Sequence, residues 1–170
     1  MKKFIYATML MLACTTVGIH TQTVMERIHF EFAAGTGVRQ NGIKPIDFSF
    51  KSLVDFVSIS YLFVTVEDNI SLYKNDGVRT YSNGVSIGGG LGVSLLNGKQ
   101  GIHGLDVRVK ALDCVGSPAW KRTTYDAALA WYVRSGRFSP VLELGYRFLD
   151  SRTAGLDNYG NAYLSIGLRY

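Results

Sequence analysis

The sequence predicts an all-β protein, an eight-stranded antiparallel up-and-down barrel that spans a membrane. Short segments with an apolar residue at every second position recur along the chain, and a β-strand sends successive side chains to opposite faces. The composition also favours strands, with 10 Tyr, 9 Phe and 19 Gly but only 3 Pro. The region before the first alternating segment has the charge and length of a secretory signal.

The N-terminal region predicts a signal peptide over residues 1–22, with the barrel over 23–170. Lys2 and Lys3 precede an apolar run at 4–13 that is too short to span a bilayer as a helix. We expect cleavage between Gly18 and Thr23. A retained amphipathic arm and lipidation at Cys14 are the alternatives. Removal of the signal would leave Cys114 as the one cysteine, so no intrachain disulfide is expected.

The first three predicted strands occupy the N-terminal half of the barrel. In the first, at 28–35, Phe30 and Phe32 lie opposite Glu31. The second, at 57–63, has Tyr61 and Phe63 on its apolar face. A tight corner at 67–69 then leads to a short third strand at 70–74. The run 46–51 also alternates and could extend the second strand outward.

The remaining five strands alternate more regularly. They are predicted at 85–95, 105–111, 125–133, 142–148 and 161–170. Tight turns are expected at 97–101 and 135–136, and longer polar loops at 38–52, 75–84, 115–123 and 150–160. A hairpin centred on Lys99 would place Gly92 opposite Asp106, Gly90 opposite Arg108 and Gly88 opposite Lys110.

The two faces of the strands predict that the apolar side points to lipid. The polar side is rich in Gly, Ser and Ala, which suits the crowded interior of a narrow barrel. It also carries charges of both signs that can pair inside. This predicted interior network contains Glu31, Asp106, Arg108, Lys110, Asp126, Glu143, Arg147 and Arg169. Interfacial aromatic girdles are expected at Tyr61, Tyr125, Trp131 and Tyr170. A soluble exported barrel that binds a small apolar ligand is the alternative.

The last strand carries a further pattern, with apolar residues at every second position before a terminal aromatic: Leu164, Ile166, Leu168 and Tyr170. Together with the strand layout, it resembles the small OmpA/OmpX-type outer-membrane barrels and the related porin-like outer membrane protein beta-barrel families. The resemblance implies residence in the outer membrane of a Gram-negative bacterium. It also implies that the assembly machinery recognises this terminal pattern and that the partners are outer-membrane lipids and lipopolysaccharide.

The sequence predicts no enzymatic activity. Some barrels of the resembled class are lipid A hydrolases with a His and a Ser two residues apart, and no His-x-Ser occurs here. His29 and His103 are expected to be polar interior or turn residues. A lipid A-modifying enzyme and a narrow channel on the same barrel remain the alternatives.

No cofactor or metal is expected, since His and Cys do not occur at ligand spacing. Several acidic residues are expected to be solvated loop charges: Asp47, Asp55, Glu67, Asp68 and Asp76. The net charge of +5 falls to about +3 without the signal, too weak and dispersed for nucleic acid. The expected role is structural or adhesive, through four extracellular loops whose partner is unspecified. Lys121 and Arg122 are candidates for contact with lipopolysaccharide phosphates, with plain solvation as the alternative.

Overall fold

Eight antiparallel strands close into one barrel in this computed structural model, which describes residues 28–40, 42–57, 59–75, 77–96, 102–135, 137–154 and 157–170. The strands are β1 Ile28–Gly37, β2 Lys44–Val57, β3 Ser60–Asn75, β4 Val78–Leu96, β5 His103–Cys114, β6 Arg122–Val133, β7 Ser139–Ser151 and β8 Tyr159–Arg169. Sequential strands pair, and β1 closes on β8 with Glu31 opposite Arg169. The predicted fold is confirmed. The predicted signal peptide at 1–22 lies outside the described residues.

The barrel has two ends, which we name by their connections. The turn end holds the connections 58–59, 97–102 and 134–138, together with Ile28 and Tyr170. The loop end holds the connections 38–43, 76–77, 115–121 and 152–158. No connection at either end is longer than seven residues, so the strong contrast predicted between short turns and long loops is wrong.

The barrel is apolar outside and polar inside. On β1, Phe32 is 63% exposed whereas Glu31 is fully buried. The same alternation runs along β7, where Leu144 is 59% exposed and Glu143 is 4% exposed. Water would make such an exterior unfavourable, whereas hydrocarbon suits it, and strand alternation of this kind is typical of transmembrane barrels. Within the described residues, no helix has the length and apolarity needed to cross a bilayer.

The predicted second and third strands are wrong in their placement. The segments 57–63 and 70–74 belong almost entirely to the single strand β3, and β2 occupies most of the predicted loop at 38–52. The predicted corner at 67–69 lies in the middle of β3, where Glu67 pairs with Ser49 and Ser86 of its neighbours. Polar residues there indicated a turn. Glu67 and Asn69 instead point into the barrel, where Glu67 pairs with Lys110 and Arg147, whereas Asp68 lies on the opposite face of the strand.

The predicted faces of β3 are also reversed. Tyr61 and Phe63 point inward and are 4% and 3% exposed, while Leu62 is 46% exposed. The expected girdle position of Tyr61 is therefore wrong. Both faces of this segment are apolar, so alternation alone could not distinguish inside from outside. Gly92 and Gly90 lie directly opposite Tyr61 and Phe63 on β4 and leave room for the two rings inside.

The hairpin of β4 and β5 has the predicted faces but a different register. Gly92 pairs with Arg108 and Gly90 with Lys110, each two residues from the predicted partner. A bulge between Ser94 and Leu96 interrupts the register near the turn end of this hairpin. Because side chains alternate with a period of two, a shift of two residues leaves every side chain on its predicted face.

The hairpin of β3 and β4 extends beyond its neighbours at the loop end. β4 has 19 residues, which at about 3.3 Å per residue exceeds what a tilted strand needs to cross a bilayer. β4 pairs with β5 only from Ser86 onward, and the Val85 carbonyl accepts one further hydrogen bond from the Val115 N–H at 2.9 Å. The segment 78–84 therefore has a strand partner on one side alone. The predicted loop at 75–84 is thus mostly strand.

Candidate functional site: the charged interior

The interior charges form two layers, and the layer nearer the turn end is centred on Glu31. This carboxylate is fully buried on β1. It accepts hydrogen bonds from Arg108 Nη1 and Nη2 at 2.8 and 2.9 Å, and from Lys51 Nζ at 2.9 Å. Arg169 approaches it at 3.3 Å. Because three cations from three other strands meet one carboxylate, Glu31 joins distant parts of the barrel wall.

Two further carboxylates complete this turn-side layer. Glu143 accepts from Lys51 Nζ at 2.8 Å, from Arg108 Nη1 at 2.6 Å and from the Tyr163 hydroxyl at 2.9 Å. Asp106 accepts from the Tyr61 hydroxyl at 2.7 Å, and the Arg169 Nη2 lies 3.2 Å away. The turn-side layer therefore balances three carboxylates with three cations, which satisfies the requirement that buried charges be paired.

The second layer lies nearer the loop end and contains Asp47, Glu67, Lys110, Asp126 and Arg147. Arg147 Nη1 lies 2.7 Å from Asp47, and its Nη2 lies 2.8 Å from Glu67. The same guanidinium donates to both oxygens of Asp126. Lys110 Nζ lies 2.6 Å from Glu67 and 3.1 Å from Asp126. This loop-side layer has three carboxylates and two cations.

The structure brings all eight residues of the predicted interior set into these two layers. It adds three that the sequence reading missed: Asp47, Lys51 and Glu67. The expectation that Asp47 and Glu67 are solvated loop charges is wrong, since they are 5% and 1% exposed. The alternation over 46–51 was the signal that could have identified Asp47 and Lys51 as interior residues, because both lie on the face opposite Ile46 and Phe48.

Tyrosine rings fill the interior between the charges. Tyr61, Tyr132 and Tyr163 each lie opposite a glycine on the neighbouring strand: Gly92, Gly104 and Gly145 respectively. A Cβ on any of these glycines would collide with the opposing ring. Aromatic cover of this kind compensates for the missing side chain of a strand glycine. The rings also contact cations, with Arg169 4.3 Å from the Tyr132 centroid and Arg147 4.8 Å from that of Tyr163.

A small cavity lies among the residues of the two layers. A cavity bordered by Lys51, Arg108, Lys110 and Glu143 has about 10 Å³ available to the centre of a water molecule. That volume accommodates about one water. Ions carry hydration shells and would have to displace the ion pairs to pass, so the arrangement is suited to sealing the barrel.

The histidines lie away from this interior network. His29 Nε2 is 3.6 Å from Asp55 Oδ2 near the turn end, and both side chains are well exposed. His103 stacks on Trp131 with a 5.6 Å centroid distance. No hydrogen bond joins either histidine to a serine hydroxyl among the residues that the structure describes. In that same part of the chain, no group of three His, Cys, Asp or Glu side chains could hold a metal ion.

The exterior of β8 carries the predicted terminal pattern. Leu164, Ile166 and Leu168 are between 43% and 63% exposed. Tyr170 is 47% exposed, lies 5.5 Å from the Phe138 ring and accepts a hydrogen bond from Arg137. Trp131 and Tyr125 are also exposed on the outside. Aromatic and basic residues in contact near a strand end are typical of the membrane interface.

Comparisons with known proteins give likeness in structure alone. No protein-family model matches the sequence, and no curated protein matches it. The outer membrane enzyme PagL superposes with a TM-score of 0.50 at 6% identity, over 82% of this chain and 97% of PagL. Neisserial surface protein A superposes with a TM-score of 0.49 at 16% identity, over 84% of this chain and 94% of that protein. Yersinia pestis Ail in a phospholipid nanodisc superposes with a TM-score of 0.49 at 12% identity, over 85% of this chain and 99% of Ail.

At 6% identity, the superposition on PagL shows a likeness of fold alone. The closed eight-stranded barrel, its apolar exterior and its charged interior define the class. The chain is an eight-stranded transmembrane β-barrel of the outer-membrane type, as the sequence predicted.

Proposed function

We propose that this protein is a non-conducting, non-enzymatic scaffold of the outer membrane that supports envelope integrity and offers its loop end for surface interaction. The interior network supports the first part of the proposal, the non-conducting scaffold. Every carboxylate in the two layers has a cation within 4.0 Å, and tyrosine rings fill the space beside them. A network of this density supports a structural role in preference to a channel.

Planar-bilayer recording tests the sealed interior. The refolded protein should give no stable open level, because ions would have to break several buried pairs at once. The Lys51→Ala and Arg108→Ala double variant removes two central cations and should conduct more than the native protein. An Arg79→Ala variant, which removes an exposed cation at the loop end, is the matched control. A stable, ion-selective conductance of the native barrel would contradict the non-conducting scaffold and support the channel alternative.

PagL demonstrates that an enzyme can use this fold, so a lipid A-modifying activity is the alternative to the scaffold. His29 and Asp55 are the one His–carboxylate pair in the described residues, and no serine completes it. This geometry supports the non-enzymatic assignment. Hydrolysis of lipid A by the purified native barrel, abolished in His29→Ala, would favour the enzyme instead.

The projecting β3–β4 hairpin supports the second part of the proposal, surface interaction. Arg79 and Asn83 are exposed and Tyr81 is 66% exposed on its outer face. The segment 78–84 leaves one strand edge without a strand partner, and such edges accept extended peptides. We expect Tyr81→Pro, which removes an edge N–H, to reduce adherence of barrel-expressing bacteria to host cells. Equal adherence of cells with Tyr81→Pro and cells with the native protein, at equal amounts of barrel on the surface, would contradict a role of the hairpin in surface interaction.

Three further assignments belong to the same proposal. Residues 1–22 direct export, and residues 23–170 make the mature barrel. Leu164, Ile166, Leu168 and Tyr170 serve as the signal for the outer-membrane assembly machinery, supported by their outward position on the last strand. Outer-membrane lipids and lipopolysaccharide surround the apolar exterior.

A further inference from the structure

The loop-end mouth of the barrel contains a buried arginine without an acidic partner. Arg122 begins β6, points inward and is 8% exposed. Its Nη1 donates to the Ser71 hydroxyl across the barrel at 3.5 Å, and its Nε has no hydrogen-bond partner. Every other buried cation in the described residues has a carboxylate within 4.0 Å, and Arg122 has none there.

Two buried hydroxyls near Arg122 are also without partners. Thr124 is two residues further along the same face of β6, and its Oγ1 has no hydrogen bond. Tyr159 begins β8, and its buried hydroxyl likewise has none. Thr124 pairs with Leu149, and Leu149 pairs with Tyr159, so the three form one row across β6, β7 and β8. Ser71 faces the mouth from β3.

The neighbouring acidic residues are already engaged with other groups. Asp113 bonds Arg152 and Thr123 in an exposed cluster. Glu67 and Asp126 of the loop-side layer hold Lys110 and Arg147. The protein thus supplies no direct counter-ion for Arg122, although a buried guanidinium is costly without one.

An aromatic pair borders the same mouth. Tyr73 is two residues beyond Ser71 on the same face of β3. The Trp120 ring, from the connection 115–121, packs against it in a tilted arrangement with the ring centroids 5.0 Å apart. Trp120 is half-buried. Aromatic cover at this position reduces contact with water, and lower local polarity strengthens a charge-assisted hydrogen bond.

We propose that the mouth is a binding site for a tetrahedral oxyanion, a phosphate or sulfate group. Arg122 would supply the charge and a two-pronged donor, the geometry with which guanidinium groups recognise such anions. The hydroxyls of Ser71, Thr124 and Tyr159 would supply further donors. The group could arrive as free inorganic phosphate or as a phosphorylated sugar of lipopolysaccharide. This site is independent of the sealed interior below it.

Calorimetric titration of inorganic phosphate, and separately of sulfate, into the folded barrel in neutral detergent tests the site. Chloride at matched ionic strength is the reference. We expect saturable binding of one anion per barrel, weakened at least tenfold in Arg122→Gln and less in Thr124→Val and Tyr159→Phe. Arg39→Gln removes an exposed loop-end cation outside the mouth and outside the β3–β4 hairpin, and this variant should bind as the native protein does. A gel-mobility shift on heating confirms that each variant is folded, and the two hydroxyl variants remain as tests should Arg122→Gln not fold.

The source of the anion is resolved by a second pair of titrations. Competition with phosphate by intact lipopolysaccharide, but not by dephosphorylated lipopolysaccharide, would identify the sugar-bound group. Competition by neither would identify the free ion. Two results would overturn the proposal. Absence of saturable binding would mean that Arg122 is only a counter-charge for the loop-side layer. Equal binding by Arg122→Gln and the native protein would mean that the anion is attracted diffusely to the surface.

Discussion

The turn-side layer and the loop-end mouth differ in how their buried charges are satisfied. Around Glu31 and Glu143, each charge meets its opposite within 3.3 Å, and tyrosine rings occupy the space between. At the mouth, Arg122 and the Thr124 and Tyr159 hydroxyls retain unused hydrogen-bonding capacity. The difference separates two uses of a buried arginine: paired, it stabilises the barrel wall, and unpaired, it is available to a ligand.

The largest expected effect is at Arg108. Arg108→Gln would leave Glu31 and Glu143 with fewer cations in a site from which water is excluded. Loss of one partner of a buried ion pair costs about 3–5 kcal/mol, and we expect a fall of that size in the free energy of unfolding. Urea titration of the barrel in lipid vesicles, followed by gel mobility, measures it. A loss below about 1 kcal/mol would mean that the interior network does not hold the barrel together.

Arg122→Gln is the matched variant in the mouth and should have the smaller effect. No carboxylate loses its partner there, so we expect the free energy of unfolding to change by less than about 1 kcal/mol without phosphate or sulfate. The same urea titration, in a chloride buffer, makes the comparison. A loss equal to that of Arg108→Gln would place Arg122 in the structural network and erase the distinction between the two regions.

Sequence reasoning was accurate where the two strand faces differ in polarity. On β5, Asp106, Arg108 and Lys110 contrast with Val107 and Val109, and both faces were predicted correctly. On β3 the inward Tyr61 and Phe63 are as apolar as the outward Leu62, so the faces were reversed. Only the glycines on β4, distant in sequence, determine that the rings turn inward.

The interior charges were likewise predicted correctly only where the two faces of a strand differ in polarity. Charges within clear alternation were assigned to the interior, whereas Glu67 was taken for a turn residue because Asp68 and Asn69 follow it. The unpaired state of Arg122 depends on which strands meet across the barrel, as with Ser71 on β3. Such cross-barrel contacts depend on closure and register, which alternation along one strand does not contain.

The contacts of methyl groups with lipid test the central claim, an apolar exterior around a sealed polar interior. In NMR spectra of the barrel in nanodiscs, the outward methyls of Val109, Leu144 and Ile166 should show cross-relaxation with lipid acyl chains. The inward methyls of Leu53, Leu112 and Leu149, each 3% exposed or less, should show none. Acyl-chain contacts from the inward group, with none from the outward group, would contradict the account.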